Sequence, residues 1–123
     1  MTSKMLVLLL IAAPPAFASQ SDMPERCLQL SRLETTDVLN NHQILFETAG
    51  KHYYLNTLPY PCPTLRRDST LLFRTSIDMV CDVDVVTVLE EFGWGLQPQA
   101  SCGLGKFVPL DQGEVDALKK AAH

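Results

Sequence analysis

Short metal and redox spacings are missing from this sequence. Its four cysteines, Cys27, Cys62, Cys81 and Cys102, contain no Cys-x-x-Cys pair. That removes the spacing of small zinc knuckles and of thioredoxin-like redox pairs. A phosphate-cradling loop is missing too: Gly105-Lys106 runs into Phe107, without the longer glycine frame or the Ser/Thr that such loops need. Histidine is scarce, with only His42, His52 and His123, none in a recognisable setting beside a cysteine or serine. A nucleophile at Ser101 or Cys102 therefore has no identifiable base. Basic runs are also lacking. Arg66-Arg67 is followed at once by Asp68, and the next doublet is Lys119-Lys120 near the end. A chain of net charge −4 without a basic face is not built for nucleic acid or an anionic membrane. No internal repeat or low-complexity stretch is present.

What the chain does have begins at its first residues. Lys4 precedes nine consecutive apolar residues, Met5 to Ala13, and Pro14-Pro15 stop the run. Nine residues fall well short of the roughly 20 that span a bilayer, but they match the core of an export signal. Ala16-Phe17-Ala18 then supplies a small-x-small cleavage site, which predicts a signal peptide over 1–18 and a mature chain starting at Ser19. Cys27 follows Pro24-Glu25-Arg26 rather than small apolar residues, so a lipid anchor is not expected there. Cleavage leaves residues 19–123, a single small domain without an integral membrane span. Loss of Lys4 sets nine basic residues against fourteen acidic ones, a net −5. Four cysteines in an exported domain of that size predict two disulfides in a periplasmic or secreted setting. The expected pairing is Cys62–Cys81 with Cys27–Cys102. The first two flank one strand, and the other two open the first and last strands, which often neighbour each other in a closed sheet.

The local pattern is mostly that of strands. "CLQLSRL" from Cys27 alternates modestly, and "NNH" at 40–42 reads as a turn. "QILFET" and "HYYLN", joined by Ala49-Gly50-Lys51, carry the signature of a hairpin. The segment "TLPYPCPTLRRDST" has three prolines around Cys62 and reads as an ordered loop. "LLFRTSI" and the valine-rich "VDVVTVLEEF" read as strands, and "KFVPL" as a short last strand that Pro109 confines to an edge or an end. "DQGEVDALKKAAH" closes as a short helix with acids early and lysines late. The fold class is mainly β, a small α+β domain of five to six short strands in a compact barrel or sandwich-like sheet. In "ASCGLGKF" the glycines let the chain turn sharply, and Cys102 pins that turn.

The order Asn56-x-Leu58, Cys62-Pro63-x-Leu65, Cys81-x-x-Asp84 and Cys102-x-Leu104-Gly105-x-Phe107-x-Pro109 resembles a family of small exported Gram-negative bacterial proteins with four cysteines, a domain of unknown function. The likeness runs from Cys27 to Pro109. It implies a periplasmic or secreted setting and transfers no catalytic residue.

Three groups of side chains merit following. Asp78, Asp82 and Asp84 around Cys81 offer hard oxygen ligands for Ca²⁺, but no glycine-punctuated calcium loop accompanies them. The expectation there is a solvated acidic strand end, with no metal and no cofactor. His42 and His52 flank the hairpin, where they would have to approach each other to share a metal. Tyr53, Tyr54, Tyr60, Phe92 and Trp94 serve either the core or a recognition surface. With no catalytic constellation, the expected function is a non-enzymatic binding or inhibitor-type module acting on a protein or envelope component. A structural envelope role and a small hydrolase are the alternatives.

Overall fold

The computed structural model describes residues 24–75 and 77–122. The expected export signal over 1–18, the expected mature start at Ser19 and His123 lie outside the described residues. Among the described residues nine strands form in chain order: β1 (Cys27–Gln29), β2 (Leu33–Asn40), β3 (Gln43–Thr48), β4 (His52–Thr57), β5 (Thr70–Phe73), β6 (Met79–Cys81), β7 (Val85–Glu91), β8 (Leu96–Gly103) and β9 (Phe107–Leu110). A single 3-10 turn, Leu30–Arg32, separates β1 from β2, and one helix, α1 (Gln112–Ala122), follows β9. The domain is mainly β with a short C-terminal helix, as the sequence predicts. Its strands are more numerous than the five or six legible in the sequence, and the sheets do not close into a barrel. Every pairing between named strands is antiparallel, giving a four-stranded sheet β2-β3-β4-β9, a three-stranded sheet β5-β7-β8 and a two-stranded sheet β1-β6.

The meander β2-β3-β4 forms for local reasons. The Asn40 carboxamide accepts from His42 N at 3.0 Å and donates to Gln43 at 2.9 Å, which bends the chain between β2 and β3. The β3–β4 turn needs left-handed backbone at Gly50 (φ 85°) and Lys51 (φ 60°), and glycine enters that region without steric penalty. Pro109 lies on β9, at the edge of its sheet, where a missing N–H breaks no central ladder.

Alternation along the strands sorts side chains to two cores. Ile44 and Phe46 of β3, Val86 and Val88 of β7 and Phe107 of β9 are fully buried in the main core, joined by Leu28 and Val80 from the small sheet. Phe46 meets Phe107 edge-on at 5.2 Å, an arrangement that aligns ring edge with ring face. The opposite face of the four-stranded sheet gives Leu39 and Leu45 to a second cluster under Val115 of α1. That helix starts with a reciprocal cap: Glu114 N donates to Asp111 Oδ1 at 2.8 Å, and Asp111 N donates to Glu114 Oε1 at 3.1 Å.

The disulfides are Cys27–Cys81 and Cys62–Cys102, which corrects both expected pairs. Cys27 and Cys81 stand directly opposite each other across β1 and β6. The first strand is therefore laddered to β6, and the last strand meets only the segment just before it, through the Glu25–Phe107 bridge. Cys102 does not open the last strand either; it sits near the end of β8, where it holds the proline-rich loop through the buried Cys62.

Just after Cys102 the chain approaches β4 closely. Asn56, fully buried, accepts from Gly105 N at 2.8 Å and donates to Gly105 O at 2.7 Å. A Cβ at position 105 would run into the Thr57 carbonyl oxygen, so glycine is required there by proximity.

Candidate functional site

The β7–β8 hairpin ends in a tip made of Phe92-Gly93-Trp94-Gly95. Glu91 and Leu96 form its last paired rung. Beyond that rung the Glu91 carboxylate replaces the ladder, accepting from both Gly93 N and Gly95 N at 3.0 Å, while Phe92 N donates to Gly95 O at 3.3 Å. Gly93 (φ 90°) and Gly95 (φ 117°) occupy backbone space that side chains with a Cβ avoid. This double twist brings Phe92 and Trp94 into a stack, with centroids 6.0 Å apart and planes inclined by 24°. Trp94 is 77% exposed and Phe92 43%. Leu96, also exposed, lies at the base of the tip. An ion pair between Arg66 and Glu90 at 3.1 Å ties the neighbouring loop to the same end of β7. The arrangement is an apolar aromatic platform on a hydrogen-bonded turn.

The other tyrosines are dispersed. Tyr53 and Tyr54 are adjacent on β4 and so face opposite sides of the sheet. Tyr53 packs against the cluster under α1, where desolvation, then the Glu47 and Asp116 carboxylates, push its hydroxyl above the ordinary tyrosine value. Tyr54 packs at the margin of the main core, and desolvation raises its hydroxyl as well. Tyr60 is 80% exposed on the proline-rich loop. Cys62–Cys102 ties that loop to the end of β8 remote from Trp94, so Tyr60 and Trp94 do not share one patch.

The three aspartates are not brought together. Asp78 accepts from Ser31 N at 2.8 Å, Asp84 accepts from Cys81 N at 2.7 Å, and Asp82 faces Arg26 at 3.5 Å with its Oδ1 buried and unpartnered. Among the described residues no group of three or more histidine, cysteine, aspartate or glutamate side chains converges on a metal position. His42 and His52 stand at opposite ends of the β3–β4 ladder: His42 O accepts from Leu58 N at 2.8 Å just before the first rung, and His52 pairs with Thr48 at the last. Ser101 bonds Thr87 at 2.8 Å across β8 and β7.

The pattern Glu91-x-Gly93-x-Gly95 was the available sign of the tip, since alternate glycines between strands invite left-handed turns. The Glu91 clamp itself is legible only in three dimensions. No protein-family model matches the chain, no curated protein matches it, and no solved structure matches it. Among the described residues no helix is long and apolar enough to cross a membrane.

Proposed function

We propose that the protein is a non-enzymatic binding or inhibitor-type module of an oxidising compartment, periplasmic or secreted, that engages a protein or envelope component through its Phe92–Trp94 tip. The reading rests on one observation: a tryptophan is held 77% exposed on a turn whose backbone is already fixed by Glu91. Large exposed aromatics on an ordered support are the side chains that dominate binding when a partner covers them. A turn ordered beforehand loses little entropy on docking, so more of the contact energy reaches the affinity. All four cysteines are bridged, which favours an oxidising compartment and leaves no thiol for covalent chemistry.

Affinity capture from a cell-envelope extract tests this reading, with the oxidised wild type beside Trp94→Ala and Trp94→Phe. The expected outcome is one discrete partner retained by the wild type, lost by at least ~tenfold with Trp94→Ala and partly kept by Trp94→Phe. Equal recovery on Trp94→Ala, with unchanged melting temperature, would show that the tip is not the contact.

A further inference from the structure

Away from the hairpin tip, two adjoining clefts of about 210 and 380 Å³ share Glu25, His52 and Tyr54 in their walls. They open where the β3–β4 turn meets the 3-10 turn, a junction tied by the hydrogen bond from Ala49 N to Arg32 O at 2.8 Å. Lys51 lines the smaller cleft and Arg32 the larger, while His52 belongs to both. Three cationic or potentially cationic side chains thus gather in an acidic chain. Among the described residues neither Arg32 nor Lys51 has a carboxylate within 4.0 Å. Leu28 and Met79 give the larger cleft an apolar wall.

We propose that the larger cleft binds a small organic monoanion, a carboxylate on a compact apolar body, with Arg32 as its principal partner, the Tyr54 hydroxyl that both clefts share in support, and Lys51 adding positive charge from the adjoining smaller cleft. Guanidinium matches a carboxylate through a pair of parallel donors, and Leu28 and Met79 take the apolar part. Desolvation, then Glu25, raises the Tyr54 hydroxyl, with Arg32 opposing. It therefore stays protonated at neutral pH and can donate to an anion. Glu25 and Arg32 both line the larger cleft with Tyr54, close enough for their charges to act on that hydroxyl. Among the described residues Glu25 is the only carboxylate in either lining, and it selects against ligands with a second negative charge. A phosphate dianion is thereby disfavoured. This site is independent of the aromatic tip and stands or falls without it.

The test is titration of benzoate into the oxidised, isotopically labelled protein, followed by amide shifts, with benzylamine and inorganic phosphate as parallel probes. Benzoate should give saturable shifts at Arg32, Lys51, His52 and Tyr54, while the other two probes give none. Arg32→Ala should weaken benzoate by ~tenfold, the value of one charge-assisted hydrogen bond. Glu25→Gln should tighten it by ~threefold by removing a like charge. Both side chains are exposed, so an unchanged melting temperature is expected; should Arg32→Ala unfold the chain, Lys51→Gln reads the same site. The proposal is overturned if benzoate shifts never saturate or follow Lys106, Lys119 and Lys120 instead. It is equally overturned if benzylamine or phosphate binds as well as benzoate, or if folded Arg32→Ala and Lys51→Gln bind like the wild type.

Discussion

Replacing Asn56 should unseat the contact between β4 and the β8–β9 connection, and the size of the effect follows from what Asn56 does. Its carboxamide is fully buried and makes two hydrogen bonds, one in each direction, to the backbone of Gly105. Asn56→Ala strands one N–H and one C=O where water enters poorly. At ~1 to 3 kcal/mol for each of the two unsatisfied groups, the loss should be ~2 to 6 kcal/mol. That is a large part of the ~5 to 15 kcal/mol that holds a small domain together, and it should lower the melting temperature by at least ~8 °C. Asn56→Asp is the sharper probe. An ionised carboxylate still accepts from Gly105 N but meets the Gly105 carbonyl oxygen with no hydrogen to offer. Burial and that repulsion raise the carboxyl above its ordinary value of about 3.9 in the folded state. A raised acid contributes fully below its unfolded pKa and loses that contribution as pH rises through the folded one. The deficit of Asn56→Asp relative to wild type should therefore be smallest below about pH 4. It should grow towards pH 7 and there at least equal that of Asn56→Ala. Chemical unfolding of the three proteins at pH 3.5, 5 and 7 measures it. A pH-independent gap, or an alanine variant within ~1 kcal/mol of wild type, would refute the reasoning.

Three further outcomes are expected. Removing either disulfide by paired Cys→Ala changes should cost ~4 kcal/mol, because loops of 40 and 54 residues differ little in closure entropy. Loss of Cys62–Cys102 should prove the worse in denaturant melts, since Cys62 is also core and its loop has no ladder to hold it. Ser101→Ala should shift stability by no more than ~1 kcal/mol, the worth of its bond to Thr87, and a larger drop would point to a role beyond packing. Raised tyrosines contribute stability below their unfolded value of 10.0 and lose it as pH climbs through the folded one. Thermal melts above pH 10 should fall less steeply for Tyr54→Phe than for wild type, and parallel slopes would contradict the assignment.

The β3–β4 hairpin was legible because strand formers flank a glycine-bearing turn, and α1 because its charges run with the helix dipole. The valine-rich run was legible as a strand, and alternation along it puts Val86 and Val88 on the face that the fold buries, while Val85 and the preceding Val83 are exposed. Strand β8 was hidden: Gln97, Pro98, Gln99 and Ser101 have little strand character, and pairing with β7 supplies what propensity does not. The bulge between Thr87 and Leu89 obscures its register as well. Disulfide pairing depends on which strands become neighbours, and β1 lies beside a three-residue strand, β6, that carries little pattern of its own. The motif that suggested a family is explained by the fold. Leu58, Cys62, Leu65, Leu104 and Phe107 are buried, and Asn56 and Gly105 hold each other. Those residues describe an architecture. The platform at Trp94 lies outside them, and the Glu91 clamp that orders it comes from backbone N–H groups that a sequence does not display.

The two bridges interleave: the first cysteine joins the third, and the second joins the fourth. A chain delivered amino end first into an oxidising solvent presents Cys27 and Cys62 to each other before Cys81 arrives. Oxidation in order of appearance therefore makes a bond that the finished domain does not contain. Reaching the native set requires a thiolate to reopen it by exchange, a step of seconds to hours without catalysis. Production of this protein should thus be governed by disulfide isomerase capacity more than by the supply of oxidant, and a host that only oxidises should accumulate a compact, wrongly bridged product.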